Sequence, residues 1–111
     1  MANEPLMEFG DDDFQARVVK SQRPVLVEFW APWCGPCKAL VPALEAAAAS
    51  FAGRATVGKL NTEEHRQVSE ALGIRALPTM LVFKGGRVVD QQVGAVPRAR
   101  LESMLCRALE P

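Results

Sequence analysis

The sequence predicts an α/β domain: a central mixed sheet of four to five strands flanked by helices on both faces. Three observations carry that prediction. Strand-like and helix-like stretches alternate from Asp11 to Gly73 without a repeat or a low-complexity break. The run Val25–Trp30 is apolar at alternate positions on both of its faces, as in a strand buried in the middle of a sheet. Near the other end, Gly85-Gly86 separates two β-rich runs and marks a two-residue antiparallel hairpin. The length, 111 residues, suits one domain spanning residues 1–111, large enough to bury roughly two-thirds of its unfolded surface without metal or crosslinks.

The elements follow in order. Asp11, Asp12 and Asp13 supply a cap and first-turn acids for a helix that puts Phe14, Val18 and Val19 on one face, and Ser21 to Pro24 ends it. Val25–Trp30 is the first central strand, with Glu28 its only charged residue. Beyond Ala-Pro-Trp-Cys-Gly-Pro-Cys, residues Cys37, Leu40, Val41, Leu44, Ala48 and Phe51 recur at helical spacing. Pro42 kinks that helix, and Gly53 stands where its C-terminal cap belongs. Thr56–Leu60 forms a second central strand. A short helix opens near Thr62, Glu63 and Glu64 and packs through Val68 and Leu72 as far as Gly73. This β-α-β-α-β alternation implies parallel pairing, to which the hairpin strands Thr79–Phe83 and Val88–Val93 add an antiparallel part. Pro97 opens a last helix that buries Leu101, Leu105, Ala108 and Leu109.

Composition narrows the function. The chain is 49% hydrophobic and 23% charged, and thirteen basic residues balance thirteen acidic ones. It therefore lacks the electrostatic footprint of a nucleic-acid binder or of a protein held on an anionic membrane. Its apolar runs fall far short of the roughly 20 residues that span a bilayer. The first thirteen residues carry Glu4, Glu8, Asp11, Asp12 and Asp13 and no base, unlike a signal peptide, which points to the cytoplasm.

Three cysteines then need explaining. Cys34 and Cys37 form a Cys-x-x-Cys pair where a strand hands over to a helix. The first helical turn has free amides and a positive dipole end, both of which stabilise a thiolate, so Cys34 is the reactive thiol. The three-residue offset brings both sulfurs to one edge of that turn, near enough for a disulfide. Cys37 shares a stripe with Leu40, Val41 and Leu44 and is expected to be shielded, while Cys34 is open to solvent. Cys34 attacks a disulfide in another protein and Cys37 resolves the mixed disulfide, with no bound cofactor. Gly35 leaves room for substrate backbone, and Pro36 fits a first-turn position that needs no amide. Two plainer readings compete. Half of a zinc site would need two more ligands, and only Cys106 and His65 remain, neither suitably spaced. A purely structural bridge over so short a loop is a weak staple, disfavoured in a reducing compartment.

Around this pair, Trp30-Ala31-Pro32-Trp33-Cys34-Gly35-Pro36-Cys37-Lys38 resembles the active-site segment of thioredoxins. The resemblance extends through Lys59-Leu60-Asn61, Gly73-Ile74-Arg75, Leu77-Pro78-Thr79, Phe83-Lys84-Gly85-Gly86 and Val93-Gly94-Ala95, nearly the whole chain. Asn61-Thr62-Glu63, Val88-Val89-Asp90 and Gly94-Ala95-Val96-Pro97 are most similar to a branch whose members often carry an N-terminal zinc module, absent from this sequence. The resemblance implies the thioredoxin fold and a general protein-disulfide reductase, recharged by thioredoxin reductase with electrons from NADPH through that enzyme's flavin. Disulfide-containing protein substrates are implied as partners, among them ribonucleotide reductase, peroxiredoxins and methionine sulfoxide reductases, with the chain acting as a monomer.

Further residues acquire roles in that light. Glu28, within an apolar strand, is costly as a carboxylate unless its pKa rises. It matches a position usually held by Asp behind the two sulfurs, which implies a buried acid/base for the resolving Cys37; an outward-facing strand Glu is the plain alternative. Lys59 resembles the lysine that pairs with this acid, against the alternative of an ordinary surface lysine. Pro78 would be trans on frequency alone, whereas the resemblance implies a cis bond beside the disulfide, with the Leu77 backbone pairing to a substrate strand. Trp33, Pro36, Leu77, Gly94 and Ala95, with Thr79 beside them, then form a shallow groove for extended peptide. Trp30 packs beneath the site. Cys106 lies about 140° from Leu101 around the last helix, off its apolar stripe, which leaves it either an exposed thiol for regulation or dimer formation or a half-buried inert one. His65 reads as a solvated helix residue without a partner. Two rival functions remain: a binding module with incidental cysteines, against which the intact Trp-Cys-Gly-Pro-Cys argues, and an oxidase or isomerase of the same fold, which typically has His where this chain has Pro36.

Overall fold

A computed structural model of the chain describes residues 6–111, so Glu4 of the acidic start lies outside the described residues. Five strands form one sheet: β1 (Met7–Phe9), β2 (Val25–Trp30), β3 (Thr56–Asn61), β4 (Thr79–Lys84) and β5 (Arg87–Val93), in the order β1-β3-β2-β4-β5. The helices are α1 (Gly35–Ala39), α2 (Val41–Ser50), α3 (Arg66–Ala71) and α4 (Arg98–Ala108), preceded by a π-helical turn at Gln15–Val19. β2 lies at the centre, parallel to β3 and antiparallel to β4.

Side chains alternate across the sheet into two cores. Leu26, Val57, Met80 and Val82 face a layer formed by α2 and α4 through Leu44, Ala47, Leu101, Met104 and Leu105. Val25, Val27, Phe29, Leu60, Leu81 and Phe83 face the other way, onto Phe14 and Val18 beside the π-turn and onto Val68, Leu72 and Ile74 around α3. Both faces of β2 are dry because each is roofed by its own helical layer, which is why its sequence shows no polar alternation.

Several sequence expectations are corrected here. The β-α-β-α-β alternation suggested that the third strand would run parallel to its neighbours, yet β4 is antiparallel to β2. Thr79, the first residue of β4, pairs with Phe29 near the end of β2, which also pairs with Leu60 near the end of β3. The chain re-enters the sheet at the end where β3 left it, so β4 runs back against β2. The helix expected to open near Thr62 begins instead at Arg66; Asn61 Oδ1 accepts the amides of Glu63 and Glu64 and holds that segment as a turn. Pro42 does more than kink. The helix breaks into α1 and α2 at Leu40, whose amide bonds to the Cys37 carbonyl three residues back.

The N-terminal segment departs furthest. β1 was not anticipated: three residues at a sheet edge give too short a pattern to recognise, and the strand depends on Gly58, where a Cβ would lie 2.5 Å from Phe9 Cε2. The first helix is a π-turn, closed by a bond of 3.0 Å from the Lys20 amide to the Gln15 carbonyl. Asp11 does not cap it. Its carboxylate accepts the amides of Gln67 (3.2 Å) and Val68 (2.9 Å), capping α3 across the fold. His65 is not partnerless either, since its Nδ1 accepts the Asp11 amide at 3.2 Å and its ring sits against Gly10. The hairpin matches its expectation: Gly85 and Gly86 have φ of 61° and 80°, the left-handed pair that a two-residue turn needs.

Candidate active site

Strand β2 delivers the chain through Ala31-Pro32-Trp33 to Cys34, which is extended (φ −92°, ψ 100°) and caps α1. Pro36 occupies the first turn, where no amide is needed. Cys34 and Cys37 are joined as a disulfide with their Cα atoms 5.3 Å apart. The Cys37 amide donates to Cys34 Sγ at 3.2 Å, so a first-turn N–H is aimed at that sulfur. Cys37 is fully buried and Cys34 is 4% exposed. The sequence expectation of an open Cys34 is thus corrected for the disulfide-bonded form, although Cys34 stays the more accessible of the two.

The Leu77–Pro78 peptide bond is cis. The Pro78 carbonyl accepts the Gly94 amide at 2.8 Å, tying the loop after β5 to the start of β4. Gly94 has φ 92°, a conformation that a side chain disfavours. Thr79 is buried and its hydroxyl donates to the Ala76 carbonyl. It braces the turn that bears Leu77 and Pro78 from inside.

Trp33 is 70% exposed, the most open large apolar side chain among the described residues. Its indole N–H donates to Glu63 Oε2 at 3.3 Å. Beside it lies a hollow of about 220 Å³ lined by Trp33, Thr62, Ser69, Ile74, Arg75 and Leu77, with Glu70 at its rim. Leu77 and Trp33 were anticipated there, while Ile74 and Arg75 were not singled out. Only the return of the chain after α3 brings them next to Trp33. Pro36, Gly94 and Ala95 do not line this hollow; Pro36 and Ala95 are exposed.

On the central strand, Glu28 is completely buried, and neither carboxyl oxygen has a hydrogen-bond partner among the described residues. Burial pushes its pKa up to about 8; the Lys59 cation pulls it down and the Glu8 carboxylate pushes it further up. Glu28 pairs in register with Met80 of β4, which packs in the α2–α4 core, so its side chain leaves the sheet on that helical face. Lys59, its register partner on β3, makes its ion pair with Glu8 at 3.2 Å and acts on Glu28 through its field alone. The expected direct pairing of Lys59 with Glu28 is corrected accordingly: β1, which the sequence reading lacked, supplies a competing carboxylate. Lys59 Nζ also lies 4.6 Å from the centre of the Trp30 ring, placing Trp30 under the site. Cys106 is a free, exposed thiol on α4. Among the described residues, no group of three or more His, Cys, Asp or Glu side chains could hold a metal ion.

The family model for thioredoxin matches residues 5–107. The chain belongs to the thioredoxin family. It is 47% identical over 95 residues to thioredoxin 1 of Nostoc sp., covering 86% of this chain and 89% of that protein. It is 46% identical over 98 residues to thioredoxin 2 of Chlorobaculum tepidum (88% and 90%), and 41% identical over 100 residues to a thioredoxin of Haemophilus influenzae (90% and 94%). Family membership and the Cys34–Cys37 disulfide at the start of α1 together make this chain a thiol-disulfide oxidoreductase with protein-disulfide reductase activity. Its sheet is the mixed five-stranded sheet of the thioredoxin fold.

Proposed function

We propose that the chain is a general reductant of protein disulfides in which Cys34 is the attacking thiol and Cys37 the resolving one. The observation that carries this division is the Cys37 amide directed at Cys34 Sγ, together with the deeper burial of Cys37. An amide at the head of a helix stabilises the charge of a thiolate more than that of a thiol.

In the dithiol form, Cys34 thiolate attacks one sulfur of a substrate disulfide. The substrate S–S bond breaks, its other sulfur leaves as a thiolate and takes a proton, and a mixed disulfide remains. Cys37 then gives up its proton, with Glu28 in its carboxylate form as acceptor, and attacks Cys34 Sγ. The second substrate sulfur leaves, so two electrons have passed from the pair to the substrate. The long Glu28 side chain performs this transfer without a direct ion pair. Lys59 tunes it from the next strand.

The substrate lies extended across the hollow beside Trp33, with its backbone against Leu77 and its side chains near Ile74, Arg75, Gly94 and Ala95. Pro78 fixes the direction of the Leu77 carbonyl, and Gly35 and Pro36 keep the approach to Cys34 low. Such a surface reads backbone and apolar bulk rather than a charge pattern, as a reductant of many unrelated proteins requires. The oxidised pair is returned to the dithiol by thioredoxin reductase, whose flavin passes on electrons from NADPH. Ribonucleotide reductase, peroxiredoxins and methionine sulfoxide reductases are the candidate recipients. The chain works as a monomer in the cytoplasm. Among the described residues no helix is long and apolar enough to cross a membrane. A chloroplastic relative, thioredoxin M4 of Arabidopsis thaliana, is 46% identical over 100 residues, which are 90% of this chain and 52% of that protein.

Insulin reduction coupled to NADPH and thioredoxin reductase tests the scheme. Cys34→Ser is expected to be inactive, and Cys37→Ser to accumulate mixed disulfides through Cys34. Sustained turnover by Cys34→Ser would overturn the assignment of the attacking thiol.

A further inference from the structure

Glu8, Lys59 and Glu28 form one row across three strands: Glu8 is the register partner of Lys59, and Lys59 is that of Glu28. Residues directly opposite each other on neighbouring strands project to the same face. The row therefore runs from the sheet edge to its centre as carboxylate, ammonium, carboxyl. The ammonium is not shared evenly between its neighbours. Lys59 Nζ lies 3.2 Å from Glu8 Oε2, whereas both Glu28 oxygens lack a hydrogen-bond partner among the described residues.

Burial explains the choice. The Glu8 side chain is 60% exposed and that of Lys59 17%, while Glu28 is sealed at 0%. Pairing outward leaves the cation partly hydrated; pairing inward would require an ammonium and a carboxylate to lose water together, which costs several kcal/mol per ion. Few other charges bear on Glu28. Its β4 partner is Met80, and the α2–α4 layer over that face contributes Leu40, Leu44 and Met104. The charged residues of α1 and α2, Lys38 and Glu45, are exposed. On β2 itself the next side chain on this face is Trp30, whose ring lies 4.6 Å from Lys59 Nζ.

We propose that Glu8 is a positioning residue: by tethering the Lys59 ammonium at the edge of the sheet, it withholds the nearest cation from Glu28 and so sets the pH range over which Glu28 exchanges a proton. The inference rests on the proposed role of Glu28 only for its consequence at Cys37. Removing the Glu8 charge acts twice in the same direction, because it frees Lys59 to approach Glu28 and takes away a negative charge. Both changes favour ionised Glu28. The electrostatic influences on Glu28 agree, with Lys59 lowering and Glu8 raising its proton affinity.

The test follows the Glu28 carboxyl carbon by 13C NMR through a pH titration of the full-length oxidised protein, the resonance being assigned by its loss in Glu28→Gln. Glu8→Gln is expected to lower the Glu28 midpoint by about one pH unit, the scale of an opposite charge brought within 4–6 Å. Glu8→Asp, which retains the charge, is expected to stay near the wild-type midpoint. An unchanged midpoint in Glu8→Gln, or an equal fall in Glu8→Asp, would overturn the inference. The pH profile of Cys37 alkylation in the reduced proteins separates this result from the role of Glu28. A Glu28 midpoint that falls in Glu8→Gln while the Cys37 profile stays fixed upholds Glu8 as the positioning residue and removes Glu28 from proton transfer.

Discussion

Glu28 is a buried acid held above its ordinary pKa, and that makes it a measurable liability to the fold. Its pKa rises from 4.5 to about 8, chiefly through loss of water. Between those values the folded protein keeps a proton that the unfolded chain releases, so stability falls as pH rises through the window. Below about pH 4.5 the penalty is absent; above about pH 8 it is complete. At 1.36 kcal/mol per pH unit, the ceiling on the loss is about 5 kcal/mol. Replacing Glu28 by Gln keeps the size and removes the titration. Urea unfolding of the disulfide-bonded wild type and Glu28→Gln, repeated from about pH 4.5 to 9, isolates this group because all others cancel in the difference. With a slope of roughly 1–2 kcal/mol/M for urea, the gap between the two midpoints should change by up to about 2.5–5 M in favour of the variant on going to high pH. A difference that stays flat from about pH 5 to pH 8.5 would refute the argument, since it would mean that Glu28 ionises as easily folded as unfolded.

Two further outcomes test the framework around the site. Asp11→Ala removes the acceptor for the Gln67 and Val68 amides, so a loss of about 1 kcal/mol is expected, read as a fall of about 4 °C in Tm; an unchanged Tm would show that Asp11 does not cap α3. Gly58→Ala would place a Cβ 2.5 Å from Phe9 Cε2 and 2.9 Å from the Met7 carbonyl oxygen, costing about 1–3 kcal/mol. Hydrogen exchange should show β1 losing protection ahead of β2, and retained protection at Phe9 would argue against the tight β1–β3 approach.

Much of the site is local and therefore legible in the chain. Cys34, Pro36 and Cys37 lie within four successive positions at a strand-to-helix junction, and the geometry of a first helical turn brings their chemistry together whatever surrounds it. The hairpin is equally local, because Gly85-Gly86 selects its own turn. Glu28 could be singled out because a charge within an apolar run demands an explanation. Ile74 and Arg75 could not be, since nothing in their immediate sequence distinguishes a groove wall from a loop. His65 and Asp11 were misread for the same reason: their partners lie 54 and 56 to 57 residues away.

What the sequence by itself determined is the chemistry: a two-cysteine redox pair at a helix start, an acid in an apolar strand, and the alternation that builds a layered α/β domain. Each depends on spacing along the backbone, which short-range sterics and hydrogen bonding convert directly into structure. What only the tertiary structure decided is the environment of that chemistry. The pairing of β1 with β3 gave Lys59 a different partner from the expected one, and the re-entry of the chain at the end of the sheet where β3 leaves it made β4 antiparallel and set Leu77 and Ile74 beside Trp33. Desolvation and charge pairing are properties of the space around a group, filled here by segments distant in sequence, so they become readable only once the chain has folded.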